Sequence, residues 1–274
     1  MNKSSKMETK FYIDIILVVV YLIIMEPLFT KLKWHEWVGL GLGIIFLIHI
    51  IINWKWVTEC TKKFFNKMTP RLRLSYILNF LLLIAAIFML LSSFAIAKNI
   101  DFSWFGYIGL YYTFTWLKIH VASAFTILII GAIHLGLHWK WIAVAFRKIF
   151  AVSFKLSAYL TAIFAIIIVA LGIFAFDYAN LWVTLERTFT FWDLTNIGEQ
   201  NAYKPSTGHG QGSGFGAGHG SGSGTHSLTE TTTSISILVY AAVAAMIAVF
   251  TRYLDILISS LWRQAKKTKK GQQA

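Results

Sequence analysis

The stretch HVASAFTILIIGAIHLGLHWKWI, residues 120–142, carries three histidines in an otherwise apolar run. Ionisable side chains at membrane depth are costly, so such histidines usually face a bundle interior and mark a functional site. An earlier stretch, HEWVGLGLGIIFLIHIIINWKWV at residues 35–57, aligns with it without a gap. Both begin with histidine, repeat it fourteen residues later, and end in W-K-W plus a β-branched residue. The sequence therefore contains an internal repeat of histidine-bearing apolar segments.

The composition indicates a membrane protein. Of 274 residues, 57% are hydrophobic and only 14% are charged, with a mean hydropathy of +0.62, which excludes an ordinary soluble domain. Several apolar runs can cross a hydrocarbon core of about 30 Å as helices. We predict an all-α membrane protein with about six transmembrane helices, four of them forming a bundle in the first half. The apolar segments are 11–30, 35–56, 75–97, 120–142, 154–176 and 233–258.

The chain has a net charge of +13, and its basic residues lie between the apolar runs. This distribution is typical of membrane proteins and argues against nucleic acid as a partner. Basic residues concentrate in 3–10, 55–73, 140–155 and 263–270, all on one face of a six-span arrangement. The positive-inside rule then predicts a multi-pass protein of the cytoplasmic membrane, surrounded by lipid, with both termini in the cytoplasm.

Two regions are predicted. Residues 1–150 form the four-helix membrane domain, and residues 151–274 add two helices joined by a long extracytoplasmic link, 177–232. Within this link, 206–227 is rich in Gly, Ser and His and is expected to be flexible. Its histidines could bind a metal weakly, but we favour a linker: His209, His219 and His226. The single cysteine and the lack of a C-x-x-C-H motif exclude covalent c-type haem attachment.

The fourteen-residue spacing places each histidine pair on one helix face. Fourteen residues rotate by about 1400°, close to four full turns, and rise about 21 Å. One span separates the two repeats, so they cross the membrane in the same direction. His35 and His120 therefore share one depth, and His49 and His134 share another.

Facing histidines at two depths match the needs of two six-coordinate b-type haems, which axial imidazoles bind without a covalent link. A single intramembrane histidine is often only a helix–helix hydrogen-bond donor or a proton relay. The matched repeat favours haem, with His35, His49, His120 and His134 as iron ligands. Small residues between the histidines leave room for a flat macrocycle, although close helix packing also explains them.

His138 lies on the same face as His120 and competes with His134 for the ligand role. Its counterpart in the first repeat is Asn53, a poor iron ligand, so we prefer His134. Candidate contacts to propionates or a quinone are His138, Lys55, Lys140 and Trp139. The alternative for the lysines and tryptophan is an interfacial belt with snorkelling lysines.

Residues 10–142 resemble the flavinylation-associated cytochrome family. The similarity rests on the HEWVGL opening at 35–40 and the HLGLHWKWI ending at 134–142. It implies a dihaem b-type cytochrome that passes electrons across a membrane, often beside an extracytoplasmic protein with covalent FMN. By this resemblance, the haem ligands are expected to be His35, His49, His120 and His134. The chain has no threonine acceptor motif for FMN, so any flavin is expected on the partner.

Three functions remain open. The first is electron transfer between a quinol or cytoplasmic donor and an extracytoplasmic acceptor, which makes the chain an electron-transfer subunit rather than a self-contained enzyme. The second is a ferric-reductase-like or quinol-oxidising oxidoreductase, although no Gly-rich dinucleotide fingerprint is present. The third is a non-haem transporter or metal-handling protein that uses the histidines as proton or metal sites.

Overall fold

The computed structural model describes residues 3–65, 68–100, 114–152, 157–190 and 226–271, and every regular element in these ranges is an α-helix. The all-α prediction is confirmed. The helices are α1 (Lys3–Ile24), α2 (Pro27–Thr30), α3 (Leu32–Ile52), α4 (Trp54–Lys63), α5 (Pro70–Ile96), α6 (Phe114–Ile149), α7 (Ala158–Tyr178), α8 (Leu181–Phe189) and α9 (His226–Gly271). The predicted flexible segment lies outside the described residues, except for 226–227, which begin α9.

Local sequence signals account for the helix boundaries. Thr69 caps α5 by accepting a hydrogen bond from the Leu72 amide, and Pro70 occupies the first helical position, where its missing N–H is not needed. Ser157 caps α7 in the same way, through the Leu160 amide. Asn53 ends α3 and begins α4, so the W-K-W motif of the first repeat belongs to a separate helix.

Five helices are long and apolar enough to cross a membrane: Leu32–Ile52, Pro70–Ile96, Thr115–Ile149, Ala158–Tyr178 and Ile235–Trp262. Large apolar side chains on them face outward. Phe174 and Leu238, for example, are 67% and 68% exposed. So much exposed apolar surface fits lipid and not water. The chain is therefore a multi-pass membrane protein.

The expected first span, 11–30, is interrupted in the structure. α1 ends at Ile24, and Glu26 then caps the short α2 by accepting from the Leu28 amide. Any membrane-length window within α1 also includes Glu8, Lys10 and Asp14. α1 is consequently more polar than the five spans.

The buried core joins the two halves of the chain. Phe125 and Leu128 of α6 pack with residues of α7, α8 and α9, among them Ala175, Leu181 and Val243. α5 also packs along α6, while α1 packs along α3. The predicted boundary near residue 150 falls in the turn after α6, but the core extends across it.

Gly172 allows α7 to approach α9 closely, because a Cβ there would overlap the Cβ of Met246. We expect Gly172→Ala to destabilise the protein by about 1–3 kcal/mol, since overpacking outweighs the better helix propensity of alanine. Thermal unfolding in detergent, followed by tryptophan fluorescence, measures the effect. Gly41→Ala is the matched control, because no atom lies within 4 Å of a Cβ at that position. Equal melting temperatures for the two variants would contradict this account.

Candidate functional site

A large cavity separates α3 from α6 in the interior of the bundle. Its volume is about 2330 Å³, and residues of α1, α3, α5, α6, α8 and α9 line it. Gly39 and Gly131 lie in its wall, and a Cβ at either position would meet no atom within 4 Å. All five histidines of the two repeats also line it: His35, His49, His120, His134 and His138. The histidine-bearing faces of α3 and α6 thus point towards the same cavity, as the helix periodicity predicts.

At one end of the cavity, His35 of α3 and His120 of α6 face each other. Their ring centroids are 6.0 Å apart, with the ring planes at 64°. Metal–imidazole bonds are about 2 Å long, so two imidazoles on opposite sides of one iron have ring centroids about 6 Å apart. The Nδ1 atom of His35 is buried and has no hydrogen-bond partner among the described residues.

Two serines of α5 fix the protonation of His120. The Ser92 hydroxyl donates to the Phe88 and Met89 carbonyls, and the Ser93 hydroxyl donates to the Met89 carbonyl. With their protons engaged, both oxygens can only accept from Nδ1 of His120, at 3.4 and 3.3 Å. His120 is therefore held as the Nδ1–H tautomer, which carries its lone pair on Nε2.

At the other end of the cavity, His49 and His134 each contact an oxygen atom through Nδ1. Nδ1 of His49 lies 2.7 Å from the Asp14 carboxylate of α1, and Nδ1 of His134 lies 2.6 Å from the Asn79 amide oxygen of α5. Both partners are acceptors, so both histidines donate from Nδ1 and present the Nε2 lone pair.

His138 stacks on His134, with ring centroids 4.5 Å apart and planes at 35°. Unlike His134, it uses Nε2 for its hydrogen bond, a 3.4 Å contact with the Ser75 hydroxyl. Its counterpart in the first repeat, Asn53, binds backbone and lysine instead: Nδ2 donates to the His49 carbonyl, and Oδ1 accepts from Lys10. The two repeats therefore differ in structure where they differ in sequence.

The other predicted contact residues lie away from the cavity. Lys55, Trp139 and Lys140 are exposed and do not line it. The cavity wall at this level instead includes Lys10, Trp56 and Trp141. This placement fits the interfacial-belt interpretation of Lys55, Trp139 and Lys140.

The sequence analysis did not identify the oxygen partners of the histidines, although two signals were present. Asp14 is an acid within an apolar run, and such an acid needs a partner. On α5, Asn79 and Ser93 are fourteen residues apart, the same interval as the histidines they contact. A polar pair at the histidine spacing on the intervening helix thus predicts hydrogen-bond partners at the same two depths.

Among the described residues, no group of three or more His, Cys, Asp and Glu side chains is placed to hold a bare metal ion. Comparison of the chain with protein-family models, with curated proteins and with solved structures finds no match. The resemblance of residues 10–142 to flavinylation-associated cytochromes therefore stays a prediction.

Proposed function

We propose that the chain is a dihaem b-type cytochrome that transfers electrons across a bacterial cytoplasmic membrane. One observation carries the proposal: two sets of histidines line one cavity at its two ends, with the imidazoles of His35 and His120 spaced as for one iron between them. The open wall at Gly39 and Gly131 leaves room for a flat macrocycle. The residues present thus fit two non-covalently bound haems.

In this function each helix has a distinct task. α3 and α6 supply the ligands, His35 with His120 at one end and His49 with His134 at the other. α1 and α5 orient them, because Asp14, Asn79 and Ser93 hold Nδ1 and thereby direct Nε2 as the ligand atom. Haem, when bound, supplies reversible one-electron chemistry at its iron. Apolar side chains such as Leu42, Phe46 and Leu135 form much of the remaining wall around the ligands.

The hydrogen bonds favour His134 over His138 as the fourth ligand. Nε2 is the ligand atom that the other hydrogen-bonded histidines present, and in His138 this atom contacts Ser75. His138 then serves as a neighbour of the site, for a propionate, a quinone or proton transfer.

The proposed topology has six membrane helices, with α1 as the most polar of them. The basic ends of α6 and α9 face the cytoplasm in this arrangement, as does Lys10. A quinol or cytoplasmic reductant gives electrons at that side. The acceptor is an extracytoplasmic protein, with an FMN-carrying partner as the first one to test.

The proposal predicts a red protein. Purified from haem-replete cells and reduced with dithionite, it is expected to show the α and Soret bands of b-type haem. Pyridine haemochrome analysis is expected to give two haems per chain. A colourless preparation, folded as judged by helical circular dichroism, would rule the proposal out.

A second candidate, a proton-coupled transporter without haem, is favoured by one observation. Asp14 and His49 form an acid–imidazole pair that is about a quarter exposed, beside Lys10 in the cavity wall. Such pairs occur in proton relays. The haem count separates the two functions, since a transporter of this kind needs none. A self-contained oxidoreductase is separated by assay: the purified chain, given a quinol as electron donor and a ferric compound as acceptor but no protein partner, would turn over.

A further inference from the structure

The two ends of the cavity give their histidines different hydrogen-bond partners. At the His35–His120 end, Nδ1 of His120 meets neutral hydroxyl groups at 3.3 and 3.4 Å. At the other end, Nδ1 of His49 meets the Asp14 carboxylate at 2.7 Å. Hydrogen bonds to an ionised acceptor are shorter and roughly twice as strong as neutral ones. The structure is therefore electrostatically asymmetric along the proposed electron path.

Three other charged groups near these ends, Arg71, Lys10 and Glu36, have partners of their own. Arg71 is paired with the buried Asp255 at 2.6 Å, and Lys10 donates to the Asn53 amide at 2.8 Å. At the opposite end, the Glu36 carboxylate accepts from the backbone amides of Lys98 and Asn99, at 2.9 and 2.8 Å. Asp14 is thus the carboxylate in direct contact with a proposed iron ligand among the described residues.

We infer that Asp14 makes the His49–His134 site the lower-potential of the two, so that electrons run from it to the His35–His120 site. The inference rests on the proposed haem function and adds a residue that sets the order of the two potentials. A carboxylate on Nδ1 raises the basicity of the ligating imidazole, and a more basic ligand stabilises ferric over ferrous iron. The neutral partners of His120 give no comparable stabilisation. Asp14 acts through His49 as a positioning residue.

The favoured transfer moves a single electron. With haems bound, His49 and His134 would hold the iron that gives up the electron, and His35 and His120 would hold the iron that takes it up. No bond forms or breaks, and the step itself moves no proton. In the proposed topology the His49–His134 end lies towards the cytoplasm, so the direction is outward, from a cytoplasmic or quinol reductant to an extracytoplasmic oxidant.

Redox titration of the holoprotein tests the inference. Optical titration of wild-type protein in detergent is expected to give two one-electron components. Asp14→Asn should raise the potential of the lower component and leave the upper one in place. We expect at least a tenfold change in the ferric-to-ferrous ratio at fixed potential, about 59 mV for a one-electron couple. Glu8→Gln is the matched control, because it removes a carboxylate from the same helix six residues away and should shift neither component.

A second variant tests the same site from α5. Asn79→Asp places a carboxylate on Nδ1 of His134 and is expected to lower the lower component further. This variant also tests the inference if the Asp14→Asn protein does not accumulate in cells. The inference is overturned if these variants move the upper component, or move neither, while the haem count stays at two. That result leaves the proposed function standing, whereas an absence of haem in wild-type protein removes the function itself.

Discussion

Replacing His120 with alanine is expected to lower the haem content from two per chain to one. His120 is the anchor of the His35–His120 site because α5 fixes its tautomer and α3 supplies the facing ring 6.0 Å away. Without its imidazole, the proposed haem would lose one of its two protein ligands, and b-type haem has no covalent link that would retain it. Pyridine haemochrome analysis per mole of purified chain measures the loss.

Rescue separates a ligand from a structural residue. His120→Gly leaves an imidazole-sized space in the cavity wall, and growth with exogenous imidazole is expected to restore the second haem. His219→Ala is the control, since it removes a histidine from the glycine-rich link and should retain both haems. If His120→Ala keeps two haems, or if His219→Ala loses one, the ligand assignment at this end of the cavity is wrong.

The all-α fold and the clustering of the histidines could be predicted from the sequence because both follow from periodicity. An apolar run of membrane length has few structures open to it other than a helix. A fourteen-residue interval then puts two side chains on one face whatever surrounds them. The structure places all five repeat histidines in one cavity, as this reasoning requires.

The partners of the histidines could not be assigned in the same way because they come from other helices. Asp14 reaches His49 only when α1 packs along α3, and no spacing within either helix encodes that contact. Asp255 gives a second example. The sequence predicts its pairing with Arg252 at i and i+3, which is present at 3.6 Å, but the shorter contact, 2.6 Å, is with Arg71 of α5. Contacts within a helix are readable from spacing, whereas contacts between helices need the packing.

The first predicted span, 11–30, differs from the structure because of local helix signals. Hydropathy alone predicts one continuous helix there, but Pro27 favours the start of a new helix and Glu26 caps it. α1 therefore ends early and presents its polar residues, Lys10 and Asp14, to the cavity. The most polar of the proposed membrane helices, α1, therefore supplies charged side chains to the proposed site.

His134→Ala and His138→Ala are expected to differ sharply, although the two histidines are four residues apart and in ring contact. His134→Ala should lose one haem, because its Nδ1 is held by Asn79 and its Nε2 is the ligand atom. His138→Ala should keep both haems, since its Nε2 contacts Ser75, and should change at most the properties of the neighbouring site.

The comparison is decisive because each variant controls for the other. Both remove a cavity-lining imidazole from the same stretch of α6, so a general loss of stability would affect the two alike. Haem loss in His138→Ala with retention in His134→Ala would reverse the assignment. It would also mean that the alignment of the two repeats, which pairs His49 with His134, does not identify the haem ligand. Asn79→Leu sharpens the test, because removing the acceptor from Nδ1 of His134 should weaken retention of the same haem by about 10–100-fold if His134 is the ligand.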